Sequence, residues 1–137
     1  MVKKLLLCGS AGWIMEVVWT GLNSFFAGDL KMMAHTSLIM FPIYAAAAFL
    51  IPLKNALNGM PVFLRGVIYA LFIFAVEYFT GAFLKSFGIC PWDYSGSKFN
   101  IDGVIRLDYA PVWFIAGLLF ERLIGGMPKT ELNTKKL

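Results

Sequence analysis

The chain has 137 residues, 59% of them hydrophobic and only 15% charged, with a mean hydropathy of +0.72; this is more apolar than an ordinary soluble domain, so lipid is the expected solvent. Four spans of about 20 residues would take more than half of it and exclude a separate soluble catalytic domain beside them. The net charge of +4 does not indicate nucleic acid, because the basic residues flank apolar runs and form no patch interleaved with aromatics.

Lys3-Lys4 followed by Leu5-Leu6-Leu7-Cys8-Gly9 resembles a secretory or lipoprotein signal, but Leu7 is too large for the position before a processed cysteine. The N-terminus is therefore expected to be retained as helix one, over residues 5–26, with Glu16 interrupting its apolar run. At 1.5 Å per residue such a run crosses a hydrocarbon core of about 30 Å. Helix two is expected over residues 35–53, with Pro42 and the run Ala45-Ala46-Ala47-Ala48 inside it. A proline is tolerated there when neighbours satisfy the freed carbonyl.

Residues 54–61 have turn chemistry and end in Pro61, which suits a helix start. Helix three is expected over residues 62–87, with Arg65 near its beginning and Glu77 well inside. The longest polar segment, residues 88–102, precedes a fourth helix that begins between residues 103 and 109 and ends near residue 124. No internal repeat is visible. In this arrangement Lys3, Lys4, Lys54, Arg65, Arg122, Lys129, Lys135 and Lys136 share one side, and Lys31, Lys85, Lys98 and Arg106 the other. The excess of positive charge assigns the first side to the cytoplasm. Cys8 and Cys90 then lie on opposite sides and cannot pair.

The predicted fold is all-α: a bundle of four transmembrane helices in a multi-pass protein of the cell membrane, N-in/C-in, over residues 1–127. An ordered extracytoplasmic loop joins helices three and four, and residues 128–137 form a polar, disordered cytoplasmic tail.

Glu16, Glu77 and Glu121 fall within apolar spans. An acidic side chain at the centre of a membrane helix costs about 2.5–3.5 kcal/mol on insertion scales, so such residues face the bundle interior and have partners. Helical spacing supports this. Gly9, Gly12, Trp13, Glu16, Thr20 and Asn23 form a small-and-polar stripe opposite Leu7, Ile14 and Val18. Corresponding stripes are Gly66, Ala70, Glu77, Thr80 and Gly81 on helix three and Trp113, Gly117, Glu121 and Gly125 on helix four, their small residues allowing close backbone approach. Glu16 and Glu77 are expected at similar depth, facing each other as one site, and Glu121 nearer the cytoplasm beside Arg122. A buried carboxylate pair either shares a proton or binds a cation. The alternative is that each glutamate pairs with Arg65 or Arg122, or caps backbone, and only specifies helix packing.

Cys90-Pro91-Trp92-Asp93-Tyr94-Ser95 lies in a loop longer than the usual helix connection. Asp93 is expected to form an Asx turn with the backbone two residues on, Trp92 and Tyr94 to sit at the headgroup interface, and Arg106 and Asp108 to complete a charged ring with Asp93. Ser95 or Cys90 as a nucleophile would need an activating base, and the single histidine, His35, lies at the end of helix two. No metal-ligand spacing and no phosphate-cradling loop is present, so no metal or cofactor is expected, and nucleotide-driven work would require a partner subunit.

Gly12-Trp13-Ile14-Met15-Glu16-Val17, Glu77-Tyr78-Phe79-Thr80-Gly81, Cys90-Pro91-Trp92-Asp93-Tyr94-Ser95 and Gly103-Val104-Ile105 followed by Trp113 and Glu121 together resemble the CmpB-like family of small membrane proteins. That family is labelled putative ABC-transporter type IV, and its vertebrate relatives are called transmembrane protein 229; the resemblance runs from helix one to helix four. It implies motif positions at Glu16, Glu77, Trp92, Asp93, Tyr94, Asn100, Gly103, Trp113 and Glu121. All of these except Gly103, together with Arg106, are the candidate substrate-binding residues. ABC permeases are larger than this chain, so the resemblance also implies a homo-oligomer or a partner subunit, in contact with membrane lipids.

The leading expectation is a permease-like component that binds or translocates a small or amphiphilic substrate through a carboxylate-lined cavity. The alternatives are a membrane-embedded enzyme acting on a lipid or isoprenoid headgroup, with Asp93 and a buried glutamate as acid and base, and a non-catalytic accessory subunit.

Overall fold

The computed structural model describes residues 1–125. The expected tail at 128–137 lies outside the described residues. Two helices, α1 (Val2–Phe26) and α4 (Val62–Ser86), are each long and apolar enough to cross a membrane. Between them lie α2 (Met40–Ala45), a 3₁₀ stretch (Ala46–Phe49) and α3 (Leu50–Ala56); after α4 come the short strands β1 (Asn100–Ile101) and β2 (Ile105–Arg106), a 3₁₀ turn (Leu107–Tyr109) and α5 (Ala110–Gly125).

The long helices carry most of their bulky residues outward, although α4 also buries Tyr69 and Leu84. Ile14 is 64% exposed and Phe79 71%, whereas the buried positions of α1 are Cys8, Gly9, Gly12 and Gly21. Large apolar side chains outside and small ones inside is the reverse of a soluble bundle and fits a lipid surround. Both helices stop at a glycine with positive φ, Gly28 (+102°) and Gly88 (+70°). In each case the amide of the next residue reaches back to the carbonyl five positions earlier, Asp29 to Ser24 and Ile89 to Leu84.

The second helix departs from the expectation of one continuous run over 35–53. Residues 32–37 are non-helical, and the chain runs back along α1 without turns of its own. α1 supplies its hydrogen bonds: Ser24 Oγ donates to the Met33 carbonyl at 2.6 Å, Thr20 Oγ1 accepts from the His35 amide at 3.2 Å, and Trp13 Nε1 donates to the Ser37 carbonyl at 3.0 Å. Trp13 and Thr20 of the α1 stripe, with Ser24 beside it, thus satisfy a backbone that has none of its own helical bonds. Once helical, the chain tightens to 3₁₀ over Ala46–Phe49. Pro52 explains the break: it donates no amide proton, and its ring crowds the carbonyl of Ala48 four residues back.

Two helix pairs organise the molecule, α1 with α2 and α4 with α5. Glycines in each pair receive an aromatic side chain. A Cβ on Gly12 would lie 2.1 Å from Tyr44 Cγ, one on Gly66 2.3 Å from the Phe114 ring, and one on Gly117 2.4 Å from Tyr69 Cβ. The small residues therefore act as sockets for rings as well as sites of backbone approach. The two pairs join through a core of Cys8, Ala48, Leu50, Leu57, Tyr69, Phe120 and Ile124. This core sits at the end of the molecule that carries the α3–α4 turn.

Candidate functional site

Above the core the pairs separate around a cavity of about 280 Å³, lined by Glu16, Tyr44, Glu77, Trp92, Tyr94 and Trp113 among apolar residues. A second space of about 520 Å³ shares Glu16, Tyr44, Tyr94 and Trp113 and extends past Trp19, His35 and Tyr109. Each helix pair brings one carboxylate, at nearly the same register along its long helix. Each carboxylate takes a hydroxyl from the segment that follows that helix. Thr36 Oγ1 donates to Glu16 Oε2 at 2.7 Å, and Tyr94 Oη donates to Glu77 Oε1 at 3.0 Å. Trp113 Nε1 donates to the second oxygen of Glu77 at 3.2 Å. Tyr44, on α2, is within electrostatic reach of both glutamates.

The loop after α4 folds back over this cavity. Its strands pair antiparallel, Asn100 with Arg106 and Ile101 with Ile105, around Asp102-Gly103 at φ +54° and +70°. Asp-Gly is the dipeptide that suits such a hairpin turn. Asn100 holds the turn from within, its Oδ1 accepting from the Gly103 amide at 3.0 Å and its Nδ2 donating to the Ser97 carbonyl at 2.6 Å. α4 anchors it from below. Tyr78 Oη donates to Asp102 Oδ2 and Lys85 Nζ to the Asp102 carbonyl, both at 2.8 Å.

Trp92 and Tyr94 do not sit outward at a headgroup interface. The Trp92 indole packs against Gly81 and donates from Nε1 to the Val104 carbonyl at 2.8 Å, so that both rings reach the cavity. Asp93, between them, points outward and forms the expected Asx turn, Oδ1 accepting from the Ser95 amide at 2.9 Å. That amide, with Lys85 adding to it, holds the Asp93 carboxyl below the usual carboxylate range.

The expected charged ring of Asp93, Arg106 and Asp108 does not form. Arg106 instead binds Asp108 through two bonds, at 2.9 and 2.6 Å, and stacks 4.3 Å over the Tyr109 ring. The pairing lowers the Asp108 pKa and raises that of Arg106. Glu121 is likewise apart from the cavity. It is bound by Arg65 through two contacts of 3.1 Å and by the Tyr69 hydroxyl, which matches the packing alternative; Arg65, not the adjoining Arg122, is the partner.

Of the candidate residues, then, Glu16, Glu77, Trp92, Tyr94 and Trp113 come together, whereas Asp93, Asn100 and Arg106 shape the loop and Glu121 ties α5 to α4. Tyr44, Thr36 and Tyr109 were not among the candidates. Tyr44 had a signal in the sequence: it is the one residue with a polar group in the run 40–51, a helical turn from Met40 and Ala48.

No cluster of His, Cys, Asp or Glu among the described residues has the makings of a metal site. Outward apolar faces, two membrane-length helices and inward carboxylates define a helical protein of membrane type. The chain belongs to the family described as "Putative ABC-transporter type IV", which it matches over residues 4–135. No solved structure matches it significantly.

Proposed function

We propose that the protein is a multi-pass component of the cell membrane, with four spans and both termini in the cytoplasm, that binds and translocates a small or amphiphilic substrate through the cavity between its helix pairs. The observation that carries this reading is that Glu16 and Glu77, one from each pair, line one internal cavity. Carboxylates are costly at membrane depth, and a cavity that gathers two of them is a substrate or ion pathway by default. The non-helical backbone of residues 32–37 adds to the case, since irregular backbone at that depth is tolerated only where it is buried in protein or lines a wet cavity. Family membership supports a transporter-like role. A single small chain of this kind works as a homo-oligomer or beside an energy-supplying partner.

Proteoliposomes containing the protein test the reading with a labelled panel of organic cations, organic anions, amino acids and sugars. Saturable uptake of at least one compound, recovered unaltered and abolished by Glu77→Gln, is the expected result. Recovery of a chemically modified compound or lipid would replace the reading with an enzyme. Absence of uptake, with a co-purifying protein partner, would replace it with an accessory subunit.

A further inference from the structure

We infer that the ligand of this cavity is an organic cation, a quaternary or protonated amine with apolar substituents, whose charged head lies between Glu16 and Glu77 against the faces of Tyr44, Trp92, Tyr94 and Trp113. The inference rests on the cavity reading above and names its substrate class.

Charge is the first ground. Neither space is lined by a lysine or arginine among the described residues, and the sole basic side chain on either wall is His35. Two carboxylates without a fixed counter-charge attract a cation and repel an anion. The positive charge nearest the outer aromatic residues, on Arg106, is already matched by Asp108.

Hydrogen-bonding capacity is the second ground. In the 280 Å³ cavity the polar groups that could donate to a ligand are directed at partners within the protein: the Tyr94 hydroxyl and Trp113 indole at Glu77, the Tyr44 hydroxyl at Glu16, and the Trp92 indole at the Val104 carbonyl. What remains free for a ligand in that cavity is carboxylate lone pairs and aromatic faces, the unengaged donors Trp19, Asn23 and His35 lying in the adjoining space. An anion or a sugar requires donors, whereas an ammonium group requires acceptors or ring faces.

The walls are the third ground. Tyr109 stands edge-to-face to Tyr94, Trp113 and Trp19 at centroid distances of 5.7, 6.0 and 5.9 Å, so the aromatic lining is continuous from one space into the other. The same cluster already holds a cation on its outer side, the Arg106 guanidinium over Tyr109. Ile43, Phe72 and Val76 supply an apolar wall for the substituents.

The test is binding of tetraphenylphosphonium and of the smaller benzyltrimethylammonium to the purified full-length protein in detergent, read by calorimetry and tryptophan quenching. Tetraphenylborate, of the same shape as the phosphonium and opposite charge, is the comparison. At least one cation is expected to bind saturably, tetraphenylborate not to bind, and Glu16→Gln and Glu77→Gln each to weaken the cation at least tenfold with an unchanged thermal unfolding profile. Should either variant misfold, Trp113→Leu takes its place with the same expected loss. Failure of both cations to bind, equal binding of tetraphenylborate, or undiminished binding in the glutamate variants overturns the inference. Its failure is separable from that of the transport reading: Glu77-dependent uptake of an anion or sugar keeps transport and removes the cation, whereas cation binding without uptake does the reverse.

Discussion

Trp113 and Glu77 face each other across α4 and α5, the indole Nε1 donating to Glu77 Oε2 at 3.2 Å while Tyr94 holds the other oxygen. Trp113→Phe keeps a ring on the cavity wall and removes that donor. Leaving a buried acceptor without its partner costs about 1–3 kcal/mol. The variant should therefore unfold at lower denaturant concentration in detergent, and Trp113→Phe combined with Glu77→Leu, which removes the acceptor as well, should lose less than the two separate losses added together.

Glu121 should behave in the opposite way to Glu77. With side-chain exposures of 22% and 14%, Arg65 and Glu121 are partly shielded, and Arg65→Met leaves the carboxylate without its cation. Breaking a buried pair costs about 3–5 kcal/mol, and less where water still reaches it, whereas replacing both partners is often neutral. Equilibrium unfolding should show a clear loss for Arg65→Met and substantial recovery in Arg65→Met with Glu121→Leu. Ligand binding should be unchanged in the double variant.

Gly66→Ala should destabilise the α4–α5 pair, since its Cβ would lie 2.3 Å from the Phe114 ring. Overpacking of this sort costs about 1–3 kcal/mol. Phe114→Leu in the same chain should restore part of the loss in a thermal unfolding assay, because a smaller side chain vacates the socket.

Orientation can be read with single cysteines at Asn58, in the α3–α4 turn, and at Lys98, in the loop after α4, both exposed, in a chain whose Cys8 and Cys90 have been replaced. A membrane-impermeant maleimide applied to intact cells should label Lys98→Cys and not Asn58→Cys. Labelling of both, or of Asn58→Cys alone, contradicts the proposed orientation.

Acid should loosen the loop. The carboxyl groups of Asp93 and Asp108 both titrate below their ordinary range, through the Ser95 amide and Arg106 respectively. A group depressed in the folded state contributes stability above its unfolded pKa and loses it as pH falls through the folded value. Digestion by pepsin within residues 89–109 should therefore quicken below about pH 4, the ordinary aspartate range. Asp93→Asn, which still accepts from the Ser95 amide, should blunt that dependence while preserving the loop, and Asp93→Ala should open it at neutral pH.

The long helices and their glutamates were legible in the sequence because apolar runs of that length have few alternatives and an acidic residue within one must find a partner. The segment before α2 was not. Thr36 and Ser37 look like the start of an amphipathic helix, and the groups that hold them extended, Glu16 and Trp13, lie on another element. Of the two prolines in this run it is Pro52 that sets the 3₁₀ stretch, whereas Pro42 lies in the first turn of α2, where a proline does no harm. The Asp102-Gly103 hairpin carried its own local signal. The inward turn of Trp92 and Tyr94 carried none, since aromatic residues flanking a membrane helix serve an interface equally well until the Gly81 socket is known.

Glu16 is held by Thr36, from its own helix pair, while Glu77 and Glu121 are held by Tyr94, Trp113, Arg65 and Tyr69, all from the other pair. Each pair therefore carries its own polar network. What closes the far end of the cavity is the apolar contact of Cys8, Ala48 and Leu50 with Tyr69, Phe120 and Ile124. Separating the two pairs at that end would expose apolar surface and leave the Arg65–Glu121 pair, which lies within one of them, intact.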